Sequence, residues 1–502
     1  MNASPTPAIR LPDFAMTLVD ALEAEGHEAW CVGGYVRDAL LGRPCNDVDI
    51  ATDALWPEVR RICAARGLRV YETGTKHGTV TVVVPSATGA SEGRAGNARG
   101  LISADGHSSP DEGAARNASV AGEPRNPPDT CREAGHAVEV TTFRCDGSYL
   151  DARHPQQVRF VSTIEEDLAR RDFTMNALAY HPQRGLVDPF GGIDDLRAGI
   201  IRVVGEAEKR FAEDALRTLR ACRFCSQLGF RIDEGTYRAM LSHKSLLAKV
   251  STERITHELD ALLLGAHVHD ALMGTVDVLS FALPELAAMK GCAQMTKYHV
   301  YDVLEHTAYA VQNMPPTRLG RWAALCHDMG KPAAAFFDES GVEHFYGHAK
   351  VSEALAGALM DRMLMGGAFK HQVMMLVRHH DDEIRLDNRA IRRMLMRLDG
   401  DPALFRTLCD LKRADALAQA PAFGRGRAGE IEELRRMLDA LLEAEGVPST
   451  RNLALSGRDV MELGVEQGPD VGRILAALLE AVVDEQVENA REPLLELART
   501  MI

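Results

Sequence analysis

The run Cys31-Val-Gly-Gly-Tyr-Val-Arg-Asp-Ala-Leu-Leu-Gly-Arg-Pro-Cys-Asn-Asp-Val-Asp-Ile-Ala-Thr52 constrains the chain more than any other stretch. Its pattern is that of a strand, a glycine turn, a helix and a second strand that carries two acids. Val48 and Ile50 alternate with Asp47 and Asp49. On a strand, a period of two puts both carboxylates on one face and the apolar residues on the other. Two adjacent carboxylates repel, and a hard cation removes that cost. Mg²⁺ favours such oxygen ligands and usually shares them with substrate phosphates. Gly33 and Gly34 let backbone N–H groups approach a phosphate closely, and Arg37 can pair with one. A lone Asp-x-Asp says little, whereas the ordered set of glycine turn, arginine and Asp-x-Asp says much more.

At 502 residues the chain is long enough for several domains and more than one core. Residues 1–10 lack an apolar stretch, so no signal peptide is expected, and no apolar run is long enough to cross a membrane. The ten cysteines are spread along the chain, which fits reduced thiols in a cytosol. A net charge of −15 argues against a generally basic nucleic-acid binder but leaves room for a local basic groove.

The first part mixes strand and helix patterns. Thr79-Val-Thr-Val-Val-Val84 and Val138-Glu-Val-Thr-Thr-Phe143 read as strands. Between them, residues 86–135 are rich in Gly, Ala, Ser, Asn and Pro. With almost no large apolar side chains they cannot offset their ordering entropy, so a disordered insertion in a hairpin loop is expected. From about residue 205 the pattern is helical to the end. Residues 206–228 form one long amphipathic stretch, and Ser251-Thr-Glu-Arg-Ile supplies a cap and an early acid for another helix. Residues 297–415 are dense in histidine, and residues 427–502 read as an Ala/Leu/Glu-rich helical tail.

Three further constellations bear on chemistry. Glu139 alternates with apolar neighbours, and if its strand lies beside that of Asp47 and Asp49, three carboxylates converge. Arg171, Asp172 and Asn176 in Arg170-Arg-Asp-Phe-Thr-Met-Asn176 offer donors and acceptors suited to phosphate and ribose; the plain alternative is a capped helix with a solvated face. In Glu213-Asp-Ala-Leu-Arg217, Asp214 and Arg217 are neighbours on a helical face. That pair is either a surface ion pair or a reader of base edges. Arginine offers only donors and aspartate only acceptors, and C and A each show one of both.

Taken in order, Gly33-Gly-Tyr-Val-Arg-Asp with Asp47-Val-Asp49, Gly74-Thr-Lys-His-Gly-Thr79, Arg170-Arg-Asp-Phe-Thr-Met-Asn176 and Glu213-Asp-Ala-Leu-Arg217 resemble the bacterial tRNA nucleotidyltransferase/poly(A) polymerase family. Asp146-Gly-Ser-Tyr-Leu-Asp-Ala-Arg-His-Pro155 resembles that family's flexible loop. The resemblance implies that Asp47 and Asp49 bind Mg²⁺ with Glu139 as third acid. It also implies that Arg171 and Asp172 hold sugar and phosphate, and that Asp214 and Arg217 read the incoming base. The insertion replaces the family's short strand turn.

The histidine block resembles the HD phosphohydrolase superfamily through His306, His327-Asp328 and Asp415, with His348, His379 and His380 able to extend the set toward a second metal. Imidazole with carboxylate suits a transition metal such as Ni²⁺ or Mn²⁺.

The expectation is therefore an α+β chain. A nucleotidyltransferase head with a small mixed sheet spans residues 1–185. A helical nucleotide-reading and tRNA-binding region follows at 186–290, an HD domain at 291–425 and a helical tail at 426–502. The expected activity is template-independent addition of CCA to tRNA from CTP and ATP, in the cytoplasm. The sequence does not settle the oligomeric state. The rivals are a poly(A) polymerase, disfavoured by the acidic rather than basic tail; an enzyme adding only CC or A, the former disfavoured by the loop at 146–155; and an HD phosphohydrolase whose head only binds RNA.

Overall fold

The structure is a computed structural model and describes residues 9–45, 47–85, 135–146, 158–295, 298, 300–339 and 342–502. Nearly all of the expected insertion and of the flexible loop lies outside the described residues.

Residues 1–213 and 214–502 form two compact units. The described residues of the first include the strands β1 (Ala29–Val32), β2 (Asp49–Thr52), β3 (Arg69–Gly74), β4 (Thr79–Val84), β5 (His136–Thr142), β6 (Arg144–Asp146), β7 (Val158–Phe160), β8 (Ala179–His181), β9 (Gly185–Val187) and β10 (Ile200–Ile201). Seven of them make one sheet in the order β3-β4-β5-β2-β1-β8-β9, while β6 and β7 pair separately. The expected glycine turn joins β1 to the helix Gly34–Leu40, and β2 follows. The β-branched run of β4 pairs antiparallel with β5, so the insertion does leave from a hairpin. β2 and β5 pair in parallel, with Asp49 opposite Glu139.

Alternation puts Asp49 on the same face of β2 as Ala51. Ala51 packs into a core of Trp30, Val32, Phe143, Ile164, Leu168, Ala177, Ala179 and Val204. The helix Ile164–Ala169 contributes Ile164 and Leu168 to this core. The acids thus stand at the end of a face that is dry farther along.

The second unit is helical, and three expectations need correction. Residues 206–228 are two helices, Ala207–Glu213 and Leu216–Leu228, not one. The reason is local: Asp214 Oδ1 accepts the N–H of Leu216 at 3.1 Å, a turn that competes with continued helix. The expected boundary at 185/186 falls inside β9, a strand of the head sheet, and the compact unit runs on to Glu213. The boundary at 425/426 falls inside the helix Pro421–Glu445, which starts at its proline. Ser251 stands at the N-cap of Thr252–Leu263 as expected, but its side chain makes no capping bond. The histidine block is built of helices Val303–Asn313, Arg318–Cys326, His348–Arg362, Gly367–His379, Asn388–Arg397 and Pro402–Ala418. A small hairpin, Phe336–Phe337 with Glu343–His344, interrupts it. The C-terminal helices close a separate core around Leu478 and Leu494. Among the described residues no helix is long and apolar enough to cross a membrane.

Phe143 is fully buried in the head core, and its N–H is tied to Thr52 O at 2.6 Å. Phe143→Ala is expected to cost about 3–5 kcal/mol by cavity formation, read as a lowered urea midpoint of the head transition.

Candidate functional site

Two separate sites emerge, one in each unit. In the head, Val48 and Ile50 are buried while Asp47 is exposed and Asp49 half-buried, the alternation the sequence implies. Asp49 pairs in register with Glu139. Burial, then the charges of Glu139 and Asp47, push the Asp49 carboxyl up to about 7, although Arg171 pulls it down. Burial and Asp47 raise Glu139 as well. Three carboxylates that destabilise one another's charge are a donor set that a hard cation fits.

Gly33 makes the turn with φ of 73°, and a Cβ there would lie 2.8 Å from Arg171 Nη1. Glycine is needed both for this backbone conformation and for the approach of that guanidinium. Beside it, Gly34 opens the helix. Arg171 is held by Asp167, whose Oδ2 accepts Nη2 at 3.2 Å, while Arg170 Nε donates to Asp167 Oδ1 at 3.0 Å. Asp167 is fully buried. Burial alone would raise its pKa, but the two arginines outweigh that and hold it below the usual carboxylate range.

Arg37 forks Asp38 through Nε and Nη2, each at 2.9 Å, and donates from Nη1 to Asn176 Oδ1 at 2.8 Å. Asn176 in turn donates to Asp172 Oδ1 at 3.1 Å, which also accepts the N–H of Phe173. Arg37, Asp172 and Asn176 therefore form one network under the glycine turn. Asp167 was not singled out in the sequence as a site residue. Its signal was its place four residues before Arg171.

In the second unit, Asp214 Oδ2 pairs with Arg254 at 3.0 Å and Arg217 is buried. Arg254 lies 40 residues away, and nothing local to the Asp214 segment announces it.

The histidine block forms a metal-type cluster. Its two groups are His306, His327 and Asp328, and Asp328, His348 and His380. Asp415 completes the first, at 2.9 Å from His306 Nε2. In all four imidazoles Nδ1 lies against a backbone carbonyl: Ala418 for His306, Ala324 for His327, Phe345 for His348 and Val377 for His380. A carbonyl only accepts, so Nδ1 carries a proton in each ring, and a ring that is otherwise neutral turns its Nε2 lone pair to the cluster. Metal-ligating histidines almost always have such a second hydrogen bond. His348 Nε2 and His380 Nε2 are 3.1 Å apart, two lone pairs that need a cation or a proton between them.

Asp328 bridges the two groups. Its Oδ2 lies 3.1 Å from His327 and 3.4 Å from His306, and its Oδ1 lies 3.4 Å from His348 and 3.6 Å from His380. Burial opposes its charge, but His327 and Lys331 outweigh burial and hold Asp328 well below the usual range. Lys331 Nζ sits 2.7 Å from Asp328 Oδ2. Either group would suit a cation that accepts imidazole nitrogen, and Asp328 belongs to both. His379, named above as a candidate, is not part of the cluster: its Nδ1 pairs with Asp382 at 2.8 Å.

Comparison with known proteins adds three family models. The poly A polymerase head domain matches residues 29–91 and 115–202. A probable RNA- and SrmB-binding site of polymerase A matches 229–290. A putative tRNA nucleotidyltransferase domain 2 matches 411–498. The CCA-adding enzyme of Geobacillus thermodenitrificans is 34% identical over 95% of this chain and 94% of its own. That of Lactiplantibacillus plantarum is 30% identical over 97% and 95%. The crystal structure of the Bacillus stearothermophilus CCA-adding enzyme in complex with CTP superposes with a TM-score of 0.66 at 29% identity, covering 97% of this chain and 96% of that one.

Two measurements follow. Asp49 has a raised pKa, so without a metal its ionised form opposes folding; the penalty grows as pH rises from about 4 toward about 7 and is constant above. In EDTA at pH 8, Asp49→Asn is expected to raise Tm, and at pH 4 to leave it nearly unchanged. The histidine cluster is expected to hold two transition-metal ions per chain by elemental analysis, falling to one in His348→Ala/His380→Ala.

Proposed function

Because the chain belongs to the CCA-adding enzymes, nucleotidyltransferases that share the poly(A) polymerase head domain, we propose that its head extends tRNA 3′ ends with CCA from CTP and ATP. The terminal hydroxyl of the tRNA attacks the α-phosphate of the nucleotide, the new O–P bond forms, and pyrophosphate leaves with the old one. The observation that carries this reading is the Asp49–Glu139 register with Asp47 beside it.

In this reading Asp47 and Asp49 hold Mg²⁺ and Glu139 completes the acidic face. Bound there, Mg²⁺ supplies Lewis acidity to the hydroxyl and the leaving phosphates. The chain's own residues do the positioning, which carries most of the work in phosphoryl transfer. The turn at Gly33 and Gly34 offers backbone N–H groups to the phosphates. Arg171, oriented by Asp167, adds a charge at the same turn. Asp172 and Asn176 take the ribose, with Arg37 holding Asn176 in place. Asp214 and Arg217 read the base. Asp214 is oriented for this by Arg254. We assign residues 1–213 to the catalytic head, the helices from residue 214 to about residue 290 to nucleotide reading and tRNA binding, and the enzyme to the cytoplasm, where its tRNA substrate lies.

The histidine cluster favours a second, separable activity: transition-metal-dependent hydrolysis of a phosphomonoester or a 2′,3′-cyclic phosphate. Its support is the bridging Asp328 between four oriented imidazoles. Ni²⁺ or Mn²⁺ are the ions its donors suit best.

The test is incubation with tRNA lacking its 3′ end, plus CTP and ATP, followed by sequencing of the product ends. Full CCA ends are expected; A-tails or CC ends alone would replace this reading with its rivals. Asp47→Ala or Asp49→Ala should lower addition by about 10²- to 10³-fold or more, the scale on which single electrostatic groups act. His327→Ala/Asp328→Ala should spare addition and remove hydrolysis.

A further inference from the structure

The bridged cluster does not lie in a closed core. It forms the floor of an open cleft of about 440 Å³ that Asp328, His348, His380 and Asp415 share with Lys331 and Arg427. That volume is in the range of small-ligand sites. One wall is aromatic. Tyr346, 75% exposed, stacks on His344 with ring centroids 4.9 Å apart and planes 21° apart. Phe336 leans on both rings from the first strand of the small hairpin. His344 is half-buried and held by Asp338 Oδ2 at 2.7 Å, so the exposed Tyr346 ring rests on a fixed imidazole in the same cleft as a metal-type cluster and two cations. Lys331 is committed to Asp328 and to Gln294 Oε1, each at 2.7 Å. Arg427, half-buried, lines the same cleft. Two acids, Glu343 and Asp381, also line it; Glu343 accepts the N–H of Met295 at 2.8 Å.

We propose that Tyr346, backed by His344, is a base platform, and that Arg427 is the phosphate-side cation, so that the cleft selects ribonucleotide phosphates over base-free phosphomonoesters. This rests on the hydrolytic reading of the cluster. Hydrolysis balances with water alone: a water oxygen bonds to phosphorus, the P–O bond to the ribose breaks, and the ribose oxygen leaves with a proton. The nucleotide is either a free ribonucleoside monophosphate or the phosphorylated end of an RNA, which offer the same chemistry.

The experiment uses the full chain loaded with Ni²⁺ or Mn²⁺ and compares 3′-AMP with β-glycerophosphate. Tyr346→Ala is expected to raise KM for 3′-AMP roughly 5- to 100-fold, the range that base–aromatic stacking spans, and to leave KM for β-glycerophosphate unchanged. Tyr346→Phe should restore the nucleotide KM. Equilibrium binding of 3′-AMP to the protein without added metal is the second readout, and its Kd should rise in the alanine variant alone. An RNA ending in a 3′-phosphate, run in parallel, separates the two sources by which is cleaved at lower concentration. Equal effects on both small substrates, or no effect on either KM or Kd, would overturn the platform. If wild type hydrolyses no phosphomonoester, the hydrolytic reading fails instead, and the binding comparison still decides the platform.

Discussion

The head depends on one strand pairing. β2 and β5 run parallel, and their register sets Asp49 against Glu139. Arg171 and the residues that hold it answer part of the electrostatic cost of that register. Arg171 approaches through the space left by Gly33, Asp167 is buried to hold Arg171, and the helix Ile164–Ala169 that carries Asp167 also closes the core behind the acids. A carboxyl pushed up to about 7 is a poor arrangement for an empty site and a good one for a cation. Stability has been traded for a preformed charge geometry, as strained functional sites commonly do.

The second site solves a similar problem with other chemistry. Its acids are kept ionised by neighbouring imidazoles and Lys331 rather than pushed toward neutrality. Backbone carbonyls fix each imidazole tautomer at Nδ1, so the ligand atoms are aimed before any ion arrives. The two clusters therefore differ in donor type, carboxylates in the head and imidazoles around a carboxylate in the helical unit, and each set suits a different class of cation.

Legibility followed range. The alternation of Asp47 and Asp49 with Val48 and Ile50, and the strand–turn–helix order around Gly33, are local and could be read directly. The convergence of Glu139 was readable only as a condition, because its strand lies across the insertion and pairing is a tertiary fact. The break at Asp214 was missed because amphipathic periodicity continues through it; only the side chain's bond to Leu216 shows it. Of three extra histidines, His348 and His380 join the cluster and His379 turns to Asp382. Adjacent residues on a helix end point in different directions, and sequence density does not separate them. Tyr346 carried no sequence signal, since its meaning comes from a two-residue-per-strand hairpin folded back toward the cleft.

The pairing at the end of the β4–β5 ladder has one more consequence. Val84 and His136 are directly opposite one another, so the backbone leaves and re-enters the sheet at neighbouring points about 5 Å apart. Loop-closure entropy grows only with the logarithm of length. A flexible connection of roughly 50 residues between two such points would cost about 2 kcal/mol more than a four-residue turn. The sheet is in this sense indifferent to what is spliced there. Length at this point is set apart from the Asp49–Glu139 register, which lies three pairs farther along the ladder from the Val84–His136 pair.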